Sequence, residues 1–230
     1  LGDTEYRYQI YVPREYTPDR KWPVVLFLHG SGESGDDGLL QTEVGIGGAI
    51  RRYRDRFPCI VVMPQCPPNH IWTGAMEVQA LQALEETAYA FNGDRDRIFL
   101  TGLSLGGLGT WSIAVRHPGR FAAIVPICGW IVLPQQDLSA NDESYWSRHG
   151  ICPDDPDPFK AASEQIGATP VWVFHGDADE VVAVEQSRQM VTALEAAGGN
   201  VQYTECPGVG HNVWEMAYAD EALMPWLLTQ

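Results

Sequence analysis

A serine flanked by glycines follows an apolar run and opens a predicted helix. Residues 102–106 have the pattern GxSxG with Ser104 at its centre, directly after the apolar residues 98–100. Two more glycines, Gly107 and Gly109, fall within the helix pattern, where each costs about 1 kcal/mol relative to alanine. Glycines in such a place indicate that strand and helix backbones approach closely. The segment therefore predicts a tight, strained turn that presents Ser104 as a nucleophile.

A serine hydroxyl attacks poorly until a base removes its proton, so an imidazole is needed beside it. His211 lies in the glycine-rich residues 208–212, after the last predicted strand and before the final predicted helix. His175 is less suitable because it precedes the acid along the chain. The remaining alternatives end a helix or lie in loops without a partner pattern, namely His117, His70 and His149. We therefore predict His211 as the general base.

The acid that orients the histidine is expected in the loop after the predicted strand 171–174. That loop offers three carboxylates, on Asp177, Asp179 and Glu180. The pattern HGxxDxxV places the acid at Asp179, shortly before a helix begins. Asp177 stays open as the alternative, a turn residue that bonds its own backbone, and Glu180 is expected to face solvent. The chain order serine, aspartate, histidine is that of α/β-hydrolases.

An oxyanion forms when a serine attacks a carbonyl, and two backbone N–H groups usually stabilise it. One is predicted from Leu105, directly after the nucleophile. The other is predicted from residues 29–33, which follow the apolar run 24–28 and read HGSGE. Ser31 is the first choice and Gly32 the second, while His29 and Glu33 are expected to hold this loop in place.

Two tryptophans follow predicted strands on the side where ligands bind in parallel sheets. Trp72 comes after residues 59–63, and Trp130 comes after residues 123–127. Both are candidates for walls of the acyl or alcohol pocket, and core packing is the equal alternative for each.

Hydrophobic periodicity indicates which elements position these groups. Residues 6–12 alternate in the manner of an outer, antiparallel strand with one wet face. Continuous apolar runs are typical of strands covered on both faces, and helical patterns occupy residues 78–91 and 184–197. We predict an α/β fold with a mostly parallel central sheet and helices on both faces. The runs that predict its other strands are 24–28, 59–63, 98–100, 123–127, 171–174 and 201–204.

Composition limits the function classes. The 230 residues are 45% hydrophobic, which suits a single domain spanning 1–230. Thirty acidic residues face 15 basic ones, for a net charge of −15 without a basic run, so we expect no nucleic-acid partner. We expect no membrane partner either, because no apolar stretch approaches the roughly 18 residues that span a bilayer. Residues 129–158 are expected to form either a solvated loop or a lid.

The five cysteines lack the spacing of a metal site, so we expect no metal ligation. They are interpreted as core thiols with room for one or two disulfides. The acidic balance and the two lysines of the chain favour a secreted or extracytoplasmic protein, with a cytoplasmic location still open.

Four segments together resemble a known group of enzymes: LHGSGE at 28–33, GLSLGG at 102–107, HGDADEVV at 175–182 and GHNVW at 210–214. The chain resembles the single-domain esterases of the α/β-hydrolase superfamily, which include feruloyl and acetylxylan esterases, polyhydroxybutyrate depolymerase-like proteins and a group of predicted peptidases. The resemblance implies a fold with a minimal cap or none, and ester hydrolysis without a cofactor. It carries the catalytic roles onto Ser104, Asp179 and His211, with Leu105 and Ser31 as oxyanion donors.

Three functions follow as alternatives. The favoured one is hydrolysis of short-chain or aromatic acyl esters, on a small molecule or linked to a polysaccharide, through an acyl-enzyme. A serine peptidase or amidase of the prolyl-oligopeptidase-like type is the second alternative. The third is a non-catalytic binding module, which would require none of the triad residues.

Overall fold

The computed structural model describes residues 6–132, 151–152 and 154–230. Over these residues the chain forms a seven-stranded sheet in the order β1-β3-β2-β4-β5-β6-β7. The strands are β1 Tyr8–Tyr11, β2 Trp22–Leu28, β3 Ile60–Pro64, β4 Gly93–Leu103, β5 Ala123–Ile127, β6 Val171–Gly176 and β7 Val201–Cys206.

The first strand is antiparallel and lies at the edge of the sheet. Tyr8 is opposite Pro64 and Tyr11 is opposite Val61, so β1 runs against β3. The remaining neighbours pair in parallel. All four residues of β1 are half-buried, whereas β2 is buried throughout. The outer antiparallel strand predicted from alternation, and the central strands predicted from continuous apolar runs, are both confirmed.

Helices cover both faces of the sheet. They are α1 Ile46–Arg52, α2 Ala75–Ala90, α3 Leu105–Arg116, α4 Pro158–Ile166, α5 Glu185–Ala196, α6 Trp214–Ala219 and α7 Leu223–Leu228, with 3-10 turns at Ser31–Glu33, Leu40–Thr42 and Arg54–Arg56. The predicted final helix is two helices, because Asp220 is extended and its side chain accepts the N–H of Ala222.

Alternate residues of the central strands enter two separate cores. In β2, Val24 and Leu26 pack on the face that α2 and α3 cover, while Val25 and Phe27 pack on the opposite face. Burying such a side chain contributes about 1.5–3 kcal/mol. The strand therefore needs apolar residues at every position, which explains its unbroken run. The predicted parallel α/β architecture is confirmed.

The glycines of α3 allow this helix to contact strand ends directly. An added Cβ on Gly106 would lie 1.9 Å from the carbonyl oxygen of Leu28, and one on Gly107 would lie 2.5 Å from that of Ile127. Both distances are shorter than any tolerated contact. The helix that begins at the candidate nucleophile is thus fixed against the carboxyl ends of β2 and β5.

The five cysteines all fall within the described residues and are free thiols. The disulfides that the sequence left room for are therefore not formed in the structure. Among the helices described, none combines the length and the apolar character needed to cross a bilayer. Residues 133–150 and 153, which make up most of the predicted loop or lid at 129–158, lie outside the described part of the chain.

Candidate active site

Ser104 sits on a sharp turn between β4 and α3. Its φ of 52° and ψ of −115° are values that non-glycine residues rarely adopt. The turn is held because the Ser104 N–H donates to the Ile127 carbonyl at 3.0 Å. The residue is 8% exposed, so its hydroxyl stands at the edge of the sheet with little solvent around it.

His211 approaches Ser104 from the loop between β7 and α6. Its Nε2 atom lies 2.8 Å from the Ser104 Oγ. The loop passes closely over the end of β6, since a Cβ on Gly176 would lie 2.1 Å from the carbonyl oxygen of Val209. The ring of Trp214 meets the imidazole edge-on, with the ring centroids 5.4 Å apart. The imidazole is therefore held on one side by an aromatic ring and on the other by its hydrogen bonds.

Asp179 completes the chain of hydrogen bonds. Its Oδ2 lies 2.7 Å from His211 Nδ1, and its Oδ1 accepts the N–H groups of Val181 at 2.8 Å and Val182 at 2.9 Å. Burial alone raises the pKa of this carboxyl, but hydrogen bonds from His175, His211 and the two N–H groups outweigh it, so the net pKa is well below the ordinary value. Asp179 is thus ionised at neutral pH.

The charge of Asp179 sets the tautomer of His211. An ionised carboxylate only accepts hydrogen bonds, so Nδ1 of His211 carries the hydrogen that it donates. Nε2 then presents its lone pair to the hydroxyl of Ser104 in the neutral ring. This arrangement lets the imidazole take the hydroxyl proton.

The other two carboxylates of the loop have different surroundings. The Asp177 carboxylate accepts the N–H of Gly208 at 2.6 Å and so ties the loop after β6 to the loop after β7. Glu180 is exposed. Asp179 is the carboxylate that the structure brings to His211.

The two predicted oxyanion donors occupy equivalent places. Leu105 is the first residue of α3, and Ser31 is the first residue of the 3-10 turn Ser31–Glu33. The first N–H groups of a helix have no acceptor within it. A Cβ on Gly30 would lie 3.5 Å from the Cβ of Ser104, so the loop that carries Ser31 runs beside the candidate nucleophile.

His29 and Glu33 hold this loop, as expected. The His29 ring is fully buried; its Nε2 accepts the N–H of Cys66 at 2.9 Å and its Nδ1 lies 2.6 Å from the carbonyl of Gly30. Burial lowers the pKa of His29 to about 4, so the ring is neutral. The Glu33 carboxylate accepts the N–H of Gly30 at 3.0 Å, and burial raises its pKa.

Trp72 packs in the core and does not wall an open pocket. Of the two alternatives predicted for this residue, the pocket wall is therefore corrected. Trp72 is 1% exposed, and its indole N–H donates to the carbonyl of His29 at 3.0 Å. The Trp72 ring meets the His29 ring edge-on, with the ring centroids 4.9 Å apart. A Cβ added to Gly109 would lie 2.5 Å from the Cβ of Trp72. Trp72 thus packs beneath the loop that carries Ser31.

Trp130 is half-buried and lies three residues after Ile127, the last residue of β5. The two residues that follow it, Ile131 and Val132, donate their N–H groups to the side chain of Gln186 in α5. This anchoring keeps Trp130 near the carboxyl end of the sheet. Its role as a pocket wall stays a prediction.

The sequence predicts no catalytic role for two side chains that lie beside the triad. His175, at the end of β6, is fully buried, and its Nε2 lies 3.2 Å from Asp179 Oδ2. The thiol of Cys128, directly after β5, lies within 4.8 Å of ligand atoms on Asp179 and His211. Burial raises the Cys128 pKa, so the thiol is protonated. Cys128, Asp179 and His211 could together hold a metal ion only if the hydrogen bond between His211 and Asp179 opened.

A family model described as the prolyl oligopeptidase family matches residues 77–228, a range that contains Ser104, Asp179 and His211. The chain belongs to the prolyl oligopeptidase family. Residues 29–33, which carry the predicted oxyanion donor Ser31, lie outside the matched range.

The chain is also similar to one curated protein and to two solved structures. An "Uncharacterized secreted protein" of Arthroderma benhamiae is 26% identical over 201 residues, which cover 83% of this chain and 21% of that protein. The crystal structure of a thermostable esterase superposes with a TM-score of 0.78 at 34% identity, covering 97% of this chain and 58% of the other. A ferulic acid esterase superposes with a TM-score of 0.75 at 20% identity, covering 96% and 91%.

This prolyl oligopeptidase family member has the α/β-hydrolase fold, and its predicted resemblance to serine esterases of that superfamily is confirmed. The chain spans about a fifth of the length of its Arthroderma benhamiae relative and 58% of the thermostable esterase.

Proposed function

We propose that this chain is a serine carboxylesterase that works through an acyl-enzyme. The observation that carries the proposal is the unbroken hydrogen-bond chain from Ser104 through His211 to the ionised Asp179. A role in binding alone would not require a strained serine, an imidazole and a buried carboxylate in line. The strain at Ser104 is typical of a nucleophile elbow.

The reaction follows from these positions. Nε2 of His211 takes the hydroxyl proton as Ser104 Oγ bonds to the substrate carbonyl carbon, and the oxyanion accepts hydrogen bonds from the N–H groups of Leu105 and Ser31. The C–O bond to the alcohol then breaks, and His211 returns the proton to the leaving oxygen. Water attacks the acyl-enzyme by the same route, which releases the carboxylic acid and restores the Ser104 hydroxyl.

An ester is favoured over a peptide as the substrate. The thermostable esterase, at 34% identity over 97% of this chain, supports ester hydrolysis. An alkoxide also leaves with less help than an amine does. The family match supports a serine peptidase as the second candidate.

Short-chain and aromatic acyl esters are the proposed substrate class, either as small molecules or linked to a polysaccharide. The ferulic acid esterase with the same fold supports aromatic acyl groups. A net charge of −15 disfavours anionic lipid surfaces, where long-chain fats are presented.

The protein is further proposed to act outside the cytoplasm. The relative of Arthroderma benhamiae, whose name includes the word secreted, supports this location. Free thiols are compatible with it, because burial raises the pKa of Cys59 and of Cys66 to about 12 and keeps them unreactive. Immunodetection of the protein in culture medium and cell fractions of its source tests the location, and confinement to the cytoplasm would overturn it.

The decisive experiment has two steps. A fluorophosphonate probe should label the wild-type chain and fail to label Ser104→Ala. Turnover of p-nitrophenyl acetate is then compared with that of a peptide anilide. Labelling with ester turnover supports the esterase, labelling with faster anilide turnover favours the peptidase, and no labelling of the folded wild type would leave only a binding module.

A further inference from the structure

We propose that His175 is a positioning residue of the same catalytic site: it holds the Asp179 carboxylate against His211 and reduces the negative charge that His211 experiences. This inference rests on the proposed function, since it assigns a role within the proposed triad. His175 is fully buried at the end of β6, and its ring nitrogens face Asp179, Val182 and Ser187. Its action on the reaction must therefore pass through Asp179.

Four donor atoms lie around the carboxylate of Asp179. Oδ1 accepts the N–H groups of Val181 and Val182, and Oδ2 lies 2.7 Å from His211 Nδ1 and 3.2 Å from His175 Nε2. The two imidazoles thus share one oxygen atom. Without His175, the oxygen that faces the proposed base would have His211 as its sole partner among these four donors.

The surroundings of His175 determine its tautomer. Nε2 faces two acceptors, the carbonyl of Val182 at 3.0 Å and the carboxylate of Asp179, so Nε2 carries a hydrogen. Nδ1 lies 2.7 Å from the hydroxyl of Ser187, which donates to it in the neutral ring. His175 therefore binds both Asp179 and Val182 from one ring nitrogen and closes the turn that carries the proposed acid.

A second donor on Oδ2 has an electrostatic consequence. The N–H of His175 stabilises the negative charge of Asp179, so the carboxylate attracts the proton of an imidazolium at His211 less strongly. Removing this donor makes His211 harder to deprotonate. The acidic limb of the pH–rate profile should then move to higher pH, because more enzyme carries an inactive imidazolium at a given pH.

The other charged or titratable groups around His175 hold their states over the working pH range. Glu205 faces it from β7, and the hydrogen bond from Arg188 in α5 lowers the pKa of Glu205 to about 2. Tyr203, also bonded to Glu205, has its pKa raised, mainly by burial. Cys128 is protonated, as described above. A shift of the acidic limb in a His175 variant is therefore attributable to the Asp179–His211 pair.

Two substitutions separate positioning from packing. His175→Leu keeps a similar volume and removes the donor, whereas His175→Gln retains an amide N–H that reaches about as far as Nε2. The rate constant of fluorophosphonate labelling and the kcat and KM for p-nitrophenyl acetate are measured against pH, with the unfolding temperature in parallel. Labelling reports the triad whatever the natural substrate is, so a wrong ester assignment would leave this test intact.

His175→Leu should reduce kcat by about 10- to 100-fold, leave KM nearly unchanged, and move the acidic midpoint upward by about half a pH unit. His175→Gln should recover most of the loss. His117→Leu is the matched control, because His117 also bonds a carboxylate, that of Glu77 at 2.8 Å, but far from the triad. It should change neither kcat nor the midpoint.

The proposal is overturned if folded His175→Leu labels and turns over substrate at the wild-type rate. It is also overturned if activity falls only in proportion to the folded fraction while the acidic midpoint stays in place. Should His175→Leu fail to fold, His175→Gln decides, since a folded Gln variant with a 100-fold loss would contradict rescue by the retained donor.

Discussion

Nε2 of His211 lies 2.8 Å from Oγ of Ser104, although 107 positions separate the two residues along the chain. One comes from the turn after β4 and the other from the loop after β7. Their contact exists only because parallel strands bring their carboxyl ends to one edge of the sheet.

Ser104→Ala should lower kcat by a factor of about 10⁴ or more, because alanine lacks the attacking oxygen. The fold should persist, since alanine fits the volume of serine. The substitution also leaves the backbone strain of the turn unchanged. Steady-state kinetics with p-nitrophenyl acetate measure the loss, and circular dichroism checks the fold. A variant that keeps more than about a tenth of the activity would exclude Ser104 as the nucleophile.

Asp179→Asn should be nearly as severe, with a loss in kcat of about 10⁴. The amide can donate to Nδ1 of His211, which favours the tautomer with its hydrogen on Nε2 and so removes the acceptor that Ser104 needs. Asp177→Asn is the matched control, since that side chain accepts the N–H of Gly208 and not a hydrogen of His211. Its effect should be mild, and the reverse order of the two losses would assign the acid to Asp177.

The kcat/KM should rise along one acidic limb, because only neutral His211 accepts the proton of Ser104. Asp179 adds no limb near neutral pH, because its hydrogen bonds hold its pKa well below the ordinary value. A profile that is flat from about pH 5 to 8 would contradict a histidine base.

Trp72→Phe should destabilise the protein without changing its substrate preference. The substitution leaves the buried carbonyl of His29 without the indole donor at 3.0 Å, which costs about 1–3 kcal/mol. Activity should fall modestly because that carbonyl belongs to the loop of Ser31, the proposed oxyanion donor. Denaturant unfolding and the rate ratio of acetate to octanoate esters measure both effects.

Trp130→Phe serves as the comparison, because Trp130 is half-buried near the sheet edge. Compared with Trp72→Phe, it should change the ratio of acetate to octanoate rates more and the free energy of unfolding less. If Trp72→Phe changed the ratio of acetate to octanoate rates and left the stability unchanged, the packing role of Trp72 would be contradicted.

The sequence predicts those features that depend on local pattern. The glycines around Ser104 reveal the strand, turn and helix because their positions are fixed by nearby backbone, and the loops that carry Asp179 and His211 follow from strand order. The loop of the proposed oxyanion donor Ser31 is likewise marked by its position after β2. These signals are short-range, so they can be read without knowing the packing.

What the sequence does not predict depends on contacts between distant segments. The direction of the Trp72 side chain is set by His29, 43 positions away, and neither residue's pattern shows it. The role we propose for His175 was missed because its position at a strand end is also that of an ordinary core histidine. Its Asp179 contact, four residues on, requires the turn between them to be folded.

Acyl-chain length tests the proposed substrate class. The rate should be greatest for short acyl esters and for aromatic ones, because β-strand ends and short loops form the described surroundings of Ser104 and the acidic surface repels anionic lipid interfaces. A series of p-nitrophenyl esters from acetate to palmitate, with methyl ferulate beside them, measures kcat/KM at substrate concentrations below micelle formation. Ser104→Ala run in parallel subtracts spontaneous hydrolysis, which is fastest for acetate. A maximum at about twelve carbons or beyond would contradict the proposal and indicate a deep acyl channel.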